Sequence, residues 1–342
     1  MTWSVVLACS WRERRENLEP DRDSVAGMTL WPEEYEGMRE EARATATAIA
    51  EMFGANTPAT VSIDRDERVR AQREMMKAFE AASPAGVDRD IAGVPCRVFR
   101  PERPARAVYL HFHGGAMMLG SPLMNDAANA DLASRFDVAV VSVDYRLAPE
   151  HPHPAGSDDC LAVARWLMEH GEADLGSSRI VVAGESAGGY YAALTLLRIR
   201  DELDAVDRVI GANLVFGVYD LSGTPSIRGA RPSDVPDILT EDVGTFVNEC
   251  FLPGQSVEDC KSPAISPLYA DLHDLPPALF TVGTGDHLLD DSLFMAARWE
   301  AYGNDSELAV YPDCIHAFSA FPTELSKRAN ERIEGFLERV LA

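Results

Sequence analysis

Ser186 is the residue of this chain whose surroundings point most directly to chemistry. It lies in a Gly-x-Ser-x-Gly motif at residues 184–188, after the apolar run Ile180–Ala183 and before a stretch with helical spacing. A strand, this motif and a helix are the context of a nucleophile elbow, a sharp turn that exposes the serine hydroxyl. The motif also occurs by chance in loops, but the flanking strand and helix favour the elbow. The sequence therefore predicts Ser186 as a nucleophile.

Two later residues could activate this serine. A serine hydroxyl needs a base to take its proton and a carboxylate to orient that base. Asp286 follows the strand-like run Ala278–Val282, and His316 lies in the loop after the run Leu308–Tyr311. The order serine, acid, histidine, with each partner beyond a late strand, is the order that such an elbow requires. We predict Asp286 as the acid and His316 as the base, with Asp290 as the alternative acid.

A glycine pair ahead of the elbow could stabilise negative charge. A tetrahedral intermediate needs hydrogen-bond donors close to its oxyanion, and small residues let the backbone approach it. The sequence His-Gly-Gly-Ala, residues 113–116, follows the strand-like run Val108–Phe112. Alone it could equally be a tight turn, but its position ahead of the elbow favours an oxyanion hole. The predicted oxyanion residues are Gly114, Gly115, Ala116 and Ala187.

The length of 342 residues suits one large α/β domain with a smaller satellite domain. Strand-like and helix-like stretches alternate along most of the chain. Such alternation is typical of a mostly parallel sheet with helices on both faces. The predicted strands span residues 93–100, 107–113, 138–143, 180–183, 209–216, 278–282 and 308–311. Besides the helix of the elbow, the predicted helices span residues 40–52, 65–81, 158–170, 243–251, 290–302 and 325–341.

Charge and composition narrow the range of partners. The formal net charge of −24 argues against nucleic acid and anionic membranes, because both attract basic surfaces. No apolar run approaches the roughly 20 residues of a membrane span. The six cysteines include no Cys-x-x-Cys pair, and the histidines lack ligand spacing. We therefore expect reduced thiols, no metal, no cofactor and a cytoplasmic location.

Three motifs together resemble a known family. They are HFHGGAMMLGS at residues 111–121, DYRLAPEHPHPA at residues 144–155 and GESAGG at residues 184–189. In this order they are similar to the hormone-sensitive-lipase-like family of α/β-hydrolases, whose bacterial members are carboxylesterases. The resemblance runs from about residue 107 to the C-terminus. It implies an α/β-hydrolase fold and the same nucleophile, acid, base and oxyanion residues as inferred above.

The resemblance also implies a helical cap. Residues 1–82 fit an N-terminal cap segment, and residues 83–342 fit the catalytic domain with a cap insertion at about 221–259. We expect residues 1–27 to be dispensable if Met28 is the functional start. In the family such a cap generally favours short acyl chains.

The chain departs from the family pattern at four positions. Glu185 replaces an aspartate or threonine, and Ala116 replaces a third glycine. His287 replaces a proline after the acid, and Ala317 replaces a glycine after the histidine. These changes bear on the substrate range and remove no catalytic group. We interpret residues 144–150 as bracing a loop.

Several apolar and aromatic residues beside the motifs could line a substrate pocket or belong to the core. A wall rich in methionine would be adaptable. The candidate pocket residues are Met117, Met118, Leu119, Tyr190, Tyr219, Leu288 and Leu289.

The sequence thus predicts a serine carboxylesterase that hydrolyses short- to medium-chain esters through an acyl-enzyme intermediate. Alternatives on the same triad are a specialised amidase, lactonase or other deacylase, and a dehydratase. A catalytically silent small-molecule receptor is disfavoured, because receptors of this family have lost the histidine that is present here as His316. We expect a small-molecule ester as the partner, and the family often forms homodimers.

Overall fold

The computed structural model describes residues 29–54, 64–239 and 241–342, so the expectation about residues 1–27 lies outside the described residues. In this part of the chain eight strands form one sheet, and helices of eleven residues or more connect and cover it. The strands are β1 (Val87–Ile91), β2 (Val94–Phe99), β3 (Ala107–Phe112), β4 (Val138–Val143), β5 (Ile180–Glu185), β6 (Val209–Val215), β7 (Ala278–Gly283) and β8 (Ser306–Tyr311). The helices are α1 (Arg39–Gly54), α2 (Arg65–Met76), α3 (Asp126–Phe136), α4 (Ala155–Leu175), α5 (Ala187–Arg198), α6 (Glu241–Phe251), α7 (Leu289–Ala301) and α8 (Glu324–Leu341).

The sheet is parallel except at one edge. Its strand order is β1-β2-β4-β3-β5-β6-β7-β8. Strands β1 and β2 pair antiparallel with each other, and β2 pairs antiparallel with β4. All other neighbours are parallel. The carboxyl ends of β3, β5, β6, β7 and β8 therefore meet along one side of the sheet. The predicted α/β fold with a mostly parallel sheet is confirmed.

Helices cover both faces because the central strands are apolar on both sides. In β3, Val108 packs in a core with buried residues of α4, α5 and α7. Its neighbour Tyr109 packs in a second core, on the opposite face, with buried residues of α3 and α8. Alternate residues of a strand point to opposite faces, so one short run supplies both cores. Among the described residues no helix is both long and apolar enough to cross a membrane.

Two elements were not predicted from the sequence. Strand β1 carries Val-Asp-Arg-Asp-Ile, and of these residues Ile91 is buried. As the edge strand it needs no second apolar face, so it lacks the apolar run of a central strand. Helix α3 is rich in alanine and polar residues, which gives it a weak apolar stripe. In addition, α2 ends at Met76, and a separate 3-10 turn, Lys77–Phe79, follows it.

Arg97 on β2 forms ion pairs with both of these elements, helix α3 and strand β1. Arg97 on β2 donates from Nε to the carboxylate of Asp126, the first residue of α3, at 2.8 Å. The Asp126 side chain is fully buried and also accepts the backbone N–H of Ser83 at 2.8 Å. Arg97 also bonds the exposed carboxylate of Asp88 on β1. A charge buried in this way is costly when its partner is removed.

We expect Asp126→Ala to lower the free energy of unfolding by about 3 kcal/mol, because it leaves the Arg97 guanidinium without its buried partner. Urea unfolding followed by circular dichroism measures this change. Asp131→Ala on the same helix is the matched control, since its bond to Arg135 is solvent-exposed. Equal unfolding midpoints for the two variants would contradict the interpretation.

Candidate active site

Ser186 lies at a strained turn between β5 and α5. Its φ of 56° and ψ of −117° lie in a region of backbone conformation that residues other than glycine rarely adopt. The turn fits because its flanking glycines lack side chains. A Cβ at Gly188 would lie 1.9 Å from the carbonyl oxygen of Phe112, and one at Gly184 would lie 2.3 Å from the backbone of Gly188. The motif therefore places Ser186 at the carboxyl edge of the sheet, beside the end of β3.

The structure brings Ser186, His316 and Asp286 together from three separate loops. His316 Nε2 lies 2.8 Å from Ser186 Oγ, and His316 Nδ1 lies 2.9 Å from Asp286 Oδ2. The other carboxylate oxygen of Asp286 accepts the backbone N–H of Leu288 at 2.7 Å. With Nδ1 protonated and donating to Asp286, Nε2 is free to accept the hydroxyl proton. This is the arrangement of a base that activates a nucleophile.

Burial and charge act in opposite directions on this pair. The Asp286 carboxylate is fully buried, and burial raises its pKa above the ordinary value. Burial disfavours the charged form of His316, but the neighbouring Asp286 carboxylate outweighs it and raises the pKa of His316. The site therefore stabilises the imidazolium that forms when the base takes a proton.

The predicted oxyanion loop lies directly against the elbow. A Cβ at Gly114 would lie 3.2 Å from the carbonyl oxygen of Glu185 and 3.7 Å from Ser186 Cβ. Within the described part of the chain, the N–H groups of Gly115 and Ala116 have no hydrogen-bond acceptor. Ala187 is the first residue of α5, where N–H groups have no partner inside the helix. Ala116 and Ala187 line the same cavity as Ser186.

The predicted oxyanion loop, which begins with residues 113–116, is contacted by residues 144–150 and by α2. The Tyr145 hydroxyl donates to the carbonyl oxygen of His113 at 2.7 Å, and the two rings stack at 4.3 Å. Burial lowers the pKa of His113 to about 4, so this imidazole is neutral near pH 7. Arg73 on α2 donates to the carbonyl oxygen of Met118 at 2.8 Å and pairs with Glu150. Residues 144–150 thus brace the loop and take no position at the triad.

The neighbouring acids have other partners. Asp290, the alternative acid, accepts the N–H of Ser226 at 2.9 Å. Asp291 accepts the N–H groups of Tyr219 and Asp220, and burial raises its pKa to about 7. Each of these carboxylates therefore holds the chain segment after β6, and it is Asp286 that faces the histidine.

A cavity of about 550 Å³ opens above Ser186. Ala116, Ser186 and Ala187 line it, and residues 221–257 supply most of its remaining wall. Of the candidate pocket residues, Met117 and Leu288 line this cavity.

The other five candidate pocket residues lie outside the lining of this cavity, which corrects the pocket prediction. Tyr190 and Tyr219 are fully buried in the core, where Tyr219 packs edge-on against Phe280. Met118 and Leu289 are buried, and the partly buried Leu119 packs against the core. An aromatic residue near a motif has the same sequence signal whether it faces a core or a pocket.

Two polar contacts at the site were not predicted. His111 on β3 lies 3.0 Å from the Glu185 carboxylate and 2.8 Å from the Ser142 hydroxyl, which fixes the side chain that precedes the nucleophile. Asp237 lies against the loops of the acid and the histidine. Neither contact has a sequence signal, because the residues involved come from distant segments. Among the described residues no three His, Cys, Asp or Glu side chains form a metal-binding group.

Comparisons with known proteins agree with the fold described above. Residues 109–320 match a family model described as the alpha/beta hydrolase fold. The carboxylesterase NlhH of Mycobacterium tuberculosis is 37% identical over 244 residues, which cover 68% of this chain and 73% of that protein. A Pyrobaculum calidifontis esterase structure is similar with a TM-score of 0.73 and 30% identity, covering 83% of this chain and 97% of its own. A hormone-sensitive lipase from a metagenome library is similar with a TM-score of 0.70 and 27% identity, covering 90% and 98%.

We expect a fluorophosphonate probe to label Ser186, and we expect the labelling rate to fall as the pH drops through the pKa of His316. The neutral imidazole is the form that accepts the proton, and the raised pKa places this fall above the ordinary imidazole value of about 6.5. Labelling rates between pH 5 and 9 measure it, with Ser186→Ala as the unlabelled control. A rate that does not change with pH would contradict His316 as the base.

Proposed function

Because the chain belongs to the hormone-sensitive-lipase-like family of α/β-hydrolases, we propose that it is a serine carboxylesterase in which Ser186, His316 and Asp286 form the catalytic triad. The observation that carries this proposal is the continuous contact from Ser186 Oγ through His316 to Asp286. An ester carbonyl needs an activated nucleophile and an oxyanion site, and both face the same cavity.

The reaction proceeds in two halves. Ser186 Oγ attacks the ester carbonyl carbon while His316 Nε2 takes the hydroxyl proton. The N–H groups of the oxyanion loop and of Ala187 stabilise the resulting oxyanion. The intermediate collapses to an acyl-enzyme when His316 returns the proton to the leaving alcohol oxygen. Water then attacks the acyl group with His316 as the base, which releases the acid and restores Ser186.

We propose that the described residues up to 82, together with those within 221–259, form a cap that limits the size of the substrate. Residues 221–257 supply most of the cavity wall. Arg68 on α2 stacks over the ring of Phe246 on α6 at 3.8 Å, which joins the two cap segments. A cavity of about 550 Å³ has room for short to medium acyl and alcohol groups. We propose such esters as substrates.

We also propose a cytoplasmic location and a homodimer. The five described cysteines are free and buried, which suits a reducing compartment. The homodimer rests on the frequent dimers of the family.

We expect hydrolysis of p-nitrophenyl esters from acetate to palmitate to peak at the short chains, because longer acyl groups exceed the cavity. Initial rates across the series measure the preference, and Ser186→Ala should abolish turnover at every length. A peak at palmitate would contradict the substrate class and leave the triad in place. No turnover of any ester by folded protein would favour a specialised deacylase, a dehydratase or a receptor.

We expect Asp286→Asn to lower kcat by on the order of 10⁴-fold, because an amide cannot hold His316 in the tautomer that leaves Nε2 free. Asp290→Asn is the matched control, since the Asp290 carboxylate bonds Ser226 instead. Steady-state kinetics on p-nitrophenyl butyrate distinguish the two variants. A larger loss of kcat in Asp290→Asn than in Asp286→Asn would identify Asp290 as the acid.

A further inference from the structure

A buried carboxylate of the cap insertion contacts both loops of the proposed triad. Asp237 Oδ1 accepts the backbone N–H of His316 at 3.1 Å. Its Oδ2 accepts the backbone N–H of His287 at 3.1 Å and lies 2.8 Å from His287 Nδ1. The Asp237 side chain has no exposed surface. One carboxylate thus bridges the residue after the acid and the backbone of the base itself.

The neighbouring residues of the insertion lie along the same loops. Arg231 donates to the carbonyl oxygen of Gly285, the residue before the acid, and to that of Val235 at 3.0 Å. Ser233 donates to the Asp313 carboxylate at 2.8 Å, three residues before the base. The segment 231–237 is therefore docked on both loops, and Asp237 contacts both of them with one carboxylate.

From this bridge we infer that Asp237 is a positioning residue of the triad. It holds the loops of Asp286 and His316 at a fixed separation and adds a second negative charge beside the imidazolium that forms during the reaction. The inference rests on the proposed ester hydrolysis by Ser186. It makes the insertion a part of the catalytic apparatus as well as a cover for the substrate.

The geometry explains why this position calls for a carboxylate. Asp237 receives three donors, namely two backbone N–H groups and the His287 ring nitrogen. An asparagine has one acceptor oxygen, so it would turn its NH₂ group toward at least one of these donors. A displacement of a catalytic group by about 1 Å can cost on the order of 100-fold in rate.

In the described part of the chain, the carboxylates of Asp286 and Asp237 act on the charge of the His316 ring. Asp286 contacts the ring from the loop after β7, and the Asp237 carboxylate, which accepts the His316 backbone N–H, also raises the pKa of the ring. On the histidine's own loop, Asp313 is paired with Arg39 and Arg43 of α1. The Asp237 carboxylate also favours the protonated form of His316, and a charged His316 in turn favours ionised Asp237. Removal of the Asp237 charge should therefore lower the pKa of His316.

The test compares Asp237→Asn, Asp237→Glu and wild type on p-nitrophenyl butyrate between pH 5 and 9. Rates are expressed per active site titrated with the fluorophosphonate. We expect Asp237→Asn to lower kcat about 10- to 100-fold with little change in KM, and to move the acid limb of kcat/KM to lower pH. Asp237→Glu keeps the charge, so its acid limb should stay near the wild-type pH although kcat falls.

Asp234→Asn is the matched control. Asp234 lies three residues earlier in the same segment, and its side chain is 85% exposed and bonds Arg43. We expect this variant to behave like wild type. Wild-type kcat and pH profile in Asp237→Asn would overturn the inference. A reduced kcat with the acid limb at the wild-type pH would also overturn it, because that result assigns Asp237 a packing role only.

A second pair of variants leaves Asp237 in place, in case Asp237→Asn does not fold. His287→Ala removes the ring donor, and we expect kcat to fall several-fold. His287→Asn supplies an amide N–H near the position of Nδ1, so it should restore most of the rate. Equal kcat in all three proteins would overturn the inference. The rate of fluorophosphonate labelling at Ser186 gives the same comparison without any ester, so a wrong substrate class would not hide the result.

Discussion

The proposed triad depends on a close approach between the histidine loop and the end of β7. Strand β8 lies three positions from β5 in the sheet, or about 14 Å at the usual spacing between strands. The loop after β8 must therefore return across β7 before its histidine can reach the serine. A Cβ at Gly283 would lie 2.1 Å from the carbonyl oxygen of Cys314, and the N–H of Gly285 donates to that oxygen at 2.9 Å. The glycines flanking Thr284 are what permit this crossing.

The same loop is also held by two arginines of α1, Arg39 and Arg43, which pair with Asp313. Burial alone would raise the pKa of Asp313, but hydrogen bonds from Arg39, Ser233 and Arg43 outweigh it and lower the pKa. Asp313 therefore stays ionised, and its carboxylate joins α1, the insertion and the histidine loop. Arg43 and Ser233, which are about 190 residues apart in the chain, both bond this carboxylate. Helix α1, the segment that contains Ser233 and the histidine loop are therefore held together at Asp313.

The sequence predicted the parts of the site that depend on local geometry. The elbow at Ser186 and the positions of Asp286 and His316 after strands follow from short apolar runs and adjacent glycines, and the structure brings these residues together. Strand β1 was not predicted because an edge strand needs no continuous apolar run. Helix α3 was not predicted because it is held by the Arg97–Asp126 pair, which no local pattern reveals. Asp237 escaped because its partners lie at least 50 residues away in the chain. Contacts between distant polar residues leave no periodic signal.

The structure shows what three of the departures from the family pattern do to the backbone and its contacts. Ala116 and Ala317 stand where the family usually has glycine, and both have positive φ, 54° and 62°. Such a conformation costs a non-glycine residue about 1 kcal/mol, so neighbouring contacts must hold it. His287 stands where proline is usual, and a proline has neither a backbone N–H nor a ring donor. With proline, Asp237 would keep one of its three donors, so a buried aspartate at 237 and a histidine at 287 depend on each other.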